Sequence, residues 1–265
     1  MKTLKMFLQD WDFDGLKMDG MHLNCTLPDY NPKHKLKYPE QSVEELPQFY
    51  QMIYETSKRY KPNAVLQICP CGCAMTYFIM PWTNQVVASD PLSSWQIRLK
   101  GKTYKALLGK TAYYGDHVEL SDGGDDFASQ IGIGAVLGTK FTWPKDNPFA
   151  DIGPFVLTPE KEKHWKHWIS IYNQKMLSKE TYLGNLYDMC YDKPETHVIQ
   201  KSDTLFYAFF NPNWDGVIEL RGLAPGKHRV YDYVNRKDLG VVNAKNPKLR
   251  LVFKKNLLVE VYPEK

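Results

Sequence analysis

The spacing of apolar residues changes period along the chain, and those changes mark out its elements. In GLKMDG (15–20), Leu16 and Met18 alternate with Lys17 and Asp19 between two glycines. This predicts a short strand that delivers a carboxylate to its C-terminal tip, although Asp-Gly is equally a turn signal. Residues 43–60 repeat apolar positions at helical spacing, through Leu46, Phe49, Met52 and Ile53, behind the helix start SVEE. AVLQICP (64–70) is an apolar run of strand length, and QVVASD (85–90) repeats the strand that ends in aspartate. A helix is predicted over 93–109, closed by Gly109, then a strand over 111–121 and a small-residue helix or irregular turn over 125–138. A short strand over 139–144 and a helix over 158–176 follow, with Thr158 as N-cap and Pro159 in the first turn. Ahead of the first strand, Leu4, Phe7 and Leu8 share one side of an amphipathic helix.

Near residue 180 the helical period disappears. HVIQKSDTLFYAFFNP, GVIELRGL, KHRVYDYVNRKDLG and LRLVFKKNLLVEVYP are strands separated by turn residues. They predict an antiparallel β-sandwich domain over 177–265, after an α/β domain over 1–176. Successive strand–helix units predict a parallel sheet covered by helices, which a doubly wound sheet and a (β/α)8 barrel both satisfy. Polar residues stand at the ends of three different strands: Asp19, Asp90, and the cluster Asp116, His117 and Glu119. Catalytic groups spread over several strand tips favour the barrel, although a full barrel needs about eight units and the chain offers five. No glycine-rich phosphate loop follows a strand; GIGAVLG lies within or after a helical segment.

Composition narrows the classes. The 265 residues are 43% hydrophobic and 14% aromatic, enough for a sizeable core. The net charge is +4, and no basic run tracks along a helix, so nucleic acid is not an expected partner. No apolar run is long enough to span a membrane, and the N-terminus carries charge too early and too often for a signal peptide. Five cysteines, three of them in CPCGC, make no disulfide framework. Zinc would want four ligands, usually in two separated pairs, so no metal or other cofactor is expected.

Two aspartates on strands separated by one other strand would face each other across a barrel mouth. A glycosidase requires two carboxyls, one to attack or stabilise and one to protonate the leaving oxygen. Asp90 also suits a plainer role as a helix N-cap, because SDPLSSW precedes a helix. In order along the chain, DGLKMDG, LQICPCG, ASDPLSSWQIR and GDHVELS resemble the C-terminal part of the barrel in α-galactosidase (melibiase) type glycoside hydrolases. These are retaining enzymes with a (β/α)8 barrel followed by a β-sandwich.

The resemblance implies a fold of about barrel strands 4–8 plus the sandwich, with Asp19 as nucleophile and Asp90 as acid/base. Lys17, Cys69, Gly72, Trp95, Arg98, Asp116 and His117 would then surround the sugar. The implied function is hydrolysis of a terminal α-linked galactose or a related sugar through a covalent glycosyl-aspartate. The implied partner is an α-linked oligosaccharide or glycoside. The family's first three barrel strands and its N-terminal β-domain have no counterpart here, and CPCGCAMTY replaces a glycine-rich, arginine-bearing segment. The alternative is therefore a non-catalytic fragment or carbohydrate-binding piece, and a CxCxC metal or redox protein is a third class. Five strands leave a barrel open, so residues 1–265 alone are expected to turn over an aryl α-galactoside poorly. They are also expected to associate with themselves or with an N-terminal half. Robust turnover by a monomer, read by assay and solution mass, would overturn this expectation.

Overall fold

Strands and helices alternate where the sequence period alternates. The computed structural model describes residues 2–19, 26–69, 78–87, 91, 93–118, 126–139 and 158–264, with the side chain of His117 excepted. The chain forms two compact units, residues 1–90 and 91–265.

In the first unit, α1 (Lys2–Lys5) runs into a single π-helical turn (Met6–Asp10). β1 (Gly15–Met18), α2 (Gln41–Glu44), α3 (Leu46–Tyr60), β2 (Val65–Ile68) and β3 (Gln85–Val87) follow. β1 pairs in parallel with β2, and β2 in parallel with β3. Gly15 is required at the start of β1, since a Cβ there would stand 2.2 Å from the Val65 carbonyl oxygen. α3 carries Pro47 in its first turn and Lys58 and Arg59 in its last, each placed as the helix termini favour. Its buried face runs through Tyr50, Ile53, Thr56 and Ser57, while Phe49 and Met52 are 44% and 42% exposed. The predicted stripe through Phe49 and Met52 is thus rotated by about one residue. Both stripes share Ile53, and the observed one continues through the buried Thr56 and Ser57.

In the second unit, α4 (Ser94–Leu108) starts at Ser93, whose hydroxyl accepts a bond from the Gln96 N–H, and ends at Gly109, φ +59°. β4 (Ala112–His117), α5 (Phe127–Gly132) and β5 (Ala135–Gly138) come next, β4 and β5 pairing in parallel. The stretch 125–138 therefore splits into helix and strand. Gly134 makes the break, at a φ of +67° that other residues rarely adopt. Of the strand expected over 139–144, only Thr139 is among the described residues. α6 (Pro159–Lys175) has Thr158 as its N-cap, accepting from the Lys161 N–H, and Pro159 in its first turn.

The rest is one antiparallel ladder. Its strands are β6 (Thr181–Tyr182), β7 (Glu195–Lys201), β8 (Thr204–Glu219), β9 (Lys227–Asp232), β10 (Lys237–Asn243) and β11 (Lys248–Pro263). Their order in the sheet is β10-β9-β11-β8-β7-β6. Lys254 faces Asn213 and Lys255 faces Asn211, so Pro212 is the extra residue of a bulge. Proline has no N–H to give to a ladder and is tolerated there. Beyond this corner Phe253 meets Phe209, ring centroids 6.4 Å apart, although Phe253 lies opposite Trp214 in the ladder. The bend folds the long strands over themselves into a sandwich around Tyr207, Phe209, Ile218, Leu251 and Val259. The alternate residues Phe206, Ala208 and Phe210 pack on Phe127, Ile131, Trp165, Trp168 and Ile171 of α5 and α6.

Gly132 lets α5 lie close against this sheet. A Cβ there would meet the Ala208 Cβ at 2.6 Å and the Phe210 ring at 3.0 Å. Gly132→Ala is expected to cost about 1–3 kcal/mol by overpacking, read from urea unfolding. A loss below about 0.5 kcal/mol would show that the contact yields freely.

Candidate active site

Alternation along β1 places Lys17 and Asp19 on one face, and both are exposed. The parallel register sets Lys17 beside Gln67, and Gln67 beside Gln85. The Cys69 N–H donates to the Met18 carbonyl at 2.8 Å, which carries the ladder one step further and brings Cys69 alongside Asp19. Cys69 is buried, at 3% exposure. Asp19 thus stands at the C-terminal end of a parallel strand, where barrel enzymes place their chemistry. Gly72, Asp90 and Glu119 lie outside the described residues, as does CPCGC beyond Cys69. Among the described residues no group of three or more His, Cys, Asp or Glu side chains is arranged to hold a metal.

At the end of β4, Gly115 and Asp116 together oppose one residue of β5, between the pairs Tyr114–Val136 and His117–Gly138. Asp116 takes a φ of +57° in this bulge and is 1% exposed. Bulges at strand ends re-aim side chains, often beside active sites. The Gln130 amide fixes the bulge by donating to the carbonyls of Gly115 and Asp116, at 3.3 and 3.2 Å. His117 closes the strand.

Trp95, in the first turn of α4, is 44% exposed. Arg98, one turn later, is buried and forms a two-pronged ion pair with Glu195 of β7, at 2.5 and 3.1 Å. Its remaining guanidinium nitrogen donates to the Ser129 hydroxyl at 2.7 Å, and its plane lies 4.2 Å over the Phe210 ring. Ser129 in turn donates to Asp126, the N-cap of α5, at 2.8 Å. Behind Glu195, His197 Nε2 lies 2.8 Å from its carboxylate and His197 Nδ1 lies 2.8 Å from the Tyr182 hydroxyl.

Burial alone would push the Glu195 carboxyl up, but the bonds from His197 and Arg98 outweigh it and hold the group at about 2. Burial lowers the His197 imidazole and raises the Tyr182 phenol. The imidazole is therefore neutral, donating from Nε2 to Glu195 and accepting from Tyr182 at Nδ1. Arg98, Glu195 and Asp126 of this network line a cleft of about 670 Å³ between α4, α5, α6 and the Pro212 corner, together with Trp168, His164, Lys193 and Lys255. Trp165 and Trp168 are buried and His164 is exposed. Glu195 and His197 escaped the sequence reading, yet their alternation in ETHVIQ puts both on one face of a strand.

No family model matches the chain. It is 32% identical over 239 residues to the A type blood α-D-galactosamine galactosaminidase of Flavonifractor plautii, a match covering 86% of this chain and 20% of that protein. The chain thus spans about a fifth of the length of that curated relative. A GH27 β-L-arabinopyranosidase from Geobacillus stearothermophilus superposes with a TM-score of 0.64, 13% identity, and coverage of 99% of this chain and 61% of that one. A GH36 α-galactosidase from the same species gives 0.60 at 13% identity, over 88% of this chain and 33% of its own. An α-amylase from Geobacillus thermoleovorans gives 0.59 at 12% identity, over 100% and 63%. At such identities these structures speak for the fold alone: a partial (β/α)8 barrel followed by an antiparallel β-sandwich. The likeness in sequence is to that galactosaminidase, over about a fifth of its length.

The Glu195 network makes the fold sensitive to acid, and the sign is set by both partners. Glu195 is lowered from 4.5 to about 2, so the stability it contributes is complete above 4.5 and is lost as pH falls towards 2. That contribution is about 3 kcal/mol. His197 is lowered from 6.5, so its cost begins as pH falls below 6.5. Urea midpoints should therefore decline from pH 6.5 downward and more steeply below 4.5. Glu195→Gln should be less stable at neutral pH and show a flatter acid limb. An unchanged acid limb in that variant would remove Glu195 from the account.

Proposed function

We propose that this chain supplies the nucleophile and the acid/base of a retaining α-glycosidase acting on terminal α-linked galactose or a closely related sugar. The reading rests above all on Asp19, which follows a parallel strand with Lys17 on the same face and Cys69 one rung away. The ordered motifs and the galactosaminidase relative supply the chemistry to look for. Asp19 attacks the anomeric carbon and forms a glycosyl-aspartate while Asp90 protonates the departing oxygen. Asp90 then takes a proton from the water that releases the sugar. Lys17 donates to sugar hydroxyls and favours the ionised form of Asp19. Cys69 and Gly72 contact the sugar, with Trp95, Asp116 and His117 around it. Arg98 contributes by fixing α4, since its donors are committed to Glu195 and Ser129. The same reading divides the chain into a barrel part, 1–176, and a sandwich, 177–265.

The relative's name specifies galactosamine. This favours a second version of the reading, in which the substrate carries an amine at C2. Rates on aryl α-galactoside and aryl α-galactosaminide, measured on the full-length protein that carries this chain, separate the two.

In that protein Asp19→Ala should lower turnover by about a thousandfold or more and abolish trapping of a glycosyl-enzyme. Asp90→Ala should retain much of the rate on an aryl glycoside with a good leaving group while losing the natural disaccharide. Equal loss on both substrates would sink the acid role. Sugar binding without turnover by the unmutated protein would favour the non-catalytic alternative.

A further inference from the structure

Alternation along the β8–β11 ladder sets the opposed pair Asn211–Lys255 on one face and the opposed pair Phe210–Asn256 on the other. All four residues nevertheless line the same cleft of the second unit. The bulge at Pro212 and the φ of +64° at Lys255 bring them together. A lysine takes that left-handed conformation at a cost in strain, because its Cβ crowds the backbone there. Strain kept where side chains converge points to a use.

The polar groups of the cleft fall into two sets. Arg98 donates to Glu195 and Ser129, and Glu195 also holds His197. Asp126 accepts from the Ser129 N–H and hydroxyl, at 3.1 and 2.8 Å. These groups satisfy one another. The side chains of Lys193, Lys255 and Asn256, by contrast, make no hydrogen bond or ion pair among the described residues. Asn211 accepts the Asn213 N–H at 3.1 Å through its Oδ1, which leaves its amide nitrogen to donate. The open set is thus two ammonium groups and two amides, with no carboxylate among them.

The ligand follows from what these walls can and cannot hold. At about 670 Å³ the cleft has the size of a small-molecule site, and a lone oxyanion would leave most of it unused. Trp168 and Phe210 give it an apolar side but are only 8% and 7% exposed, so neither offers an open ring face for a nucleobase. A fatty ligand would take the lysines and amides out of water without pairing them. We infer that this cleft binds an acidic sugar, a pyranose ring carrying a carboxylate or a sulfate ester. The Lys193 and Lys255 ammonium groups receive the anion, the amides of Asn211 and Asn256 meet the hydroxyls, and C–H edges rest on Trp168 and Phe210. The site belongs wholly to the second unit and shares no residue with the proposed catalytic pair. It goes beyond the glycosidase reading, because it concerns binding and not turnover.

Binding is measured by calorimetry on the full-length protein that carries this chain, with saturating galactose present to occupy the proposed catalytic site. The probes are methyl glucuronide, glucose 6-sulfate, methyl glucoside and inorganic sulfate. Both acidic sugars should bind, and methyl glucoside about tenfold more weakly or worse, since it forgoes the charge-assisted bonds. The tighter of the two acidic sugars identifies the preferred anion. Lys193→Gln and Lys255→Gln should each weaken the acidic sugars about fivefold, while Lys255→Arg keeps most of the affinity. Asn256→Ala should weaken the sugars about threefold and leave any binding of inorganic sulfate unchanged. Urea midpoints equal to that of the unmutated protein establish that each variant folds. Equal affinity for the neutral sugar, or sulfate alone binding as tightly as the acidic sugars, overturns the assignment of the ligand. Undiminished affinity in both lysine-to-glutamine variants overturns the assignment of the site. Absence of binding by both acidic sugars overturns the whole, whether or not an acidic peptide such as triglutamate occupies the cleft instead.

Discussion

A stripe of three cations on α4 holds the second unit together. Arg98, Lys102 and Lys105 recur at helical spacing. They reach the carboxylate of Glu195, the carbonyl of Tyr187 at 2.7 Å and the carbonyl of Ser178 at 3.1 Å. Ser178 lies between α6 and β6, Tyr187 between β6 and β7, and Glu195 opens β7. Burial pushes the Lys105 ammonium down to about 8, so this contact carries a desolvation cost and is not a loose surface pairing. Glu195 is the deepest anchor, because His197 and Tyr182 continue its bonding away from the helix. A buried charge of this kind is tolerated only when every partner is in place. The stripe therefore specifies where the sheet docks on the helices, and the apolar packing of Phe127, Trp168 and Phe210 fills in around that choice.

The first unit is organised differently. Its constraint is the parallel register, which the backbone enforces from Gly15 to Cys69 and which lines up side chains in rows. One row is Lys17, Gln67 and Gln85; the next begins with Asp19 and Cys69. A shift by one residue would turn every one of these groups to the other face. The approach of Gly15 to Val65 guards against that shift, since another residue would collide at the first rung. The placement of Asp19 is in this sense written into a pairing that begins four residues before it.

Much of this was legible from period alone. The helices at Leu46–Tyr60, Ser94–Leu108 and Pro159–Lys175 and the strands at Val65–Ile68 and Ala112–His117 follow from spacing, caps and glycines. Asp19 and Lys17 stood out because alternation makes a strand tip visible. The split at Gly134 was not visible, since a short Ala-Val-Leu run fits helix and strand equally. The face of α3 was misplaced because two overlapping stripes share Ile53. The rows and the Arg98–Glu195 pair depend on register and on contacts across 97 positions, which no local pattern encodes. α4 shows the limit most clearly: two of its three cations, Arg98 and Lys105, are buried against partners far away in the sequence.

The bulge at Pro212 has a mechanical consequence. In a sandwich of two separate sheets, one layer can peel away while the other keeps its hydrogen bonds. Here β8 and β11 each run through both layers, so the two are halves of one ribbon creased at a single point. The crease therefore joins the layers through two continuous strands, and neither layer is a sheet of its own.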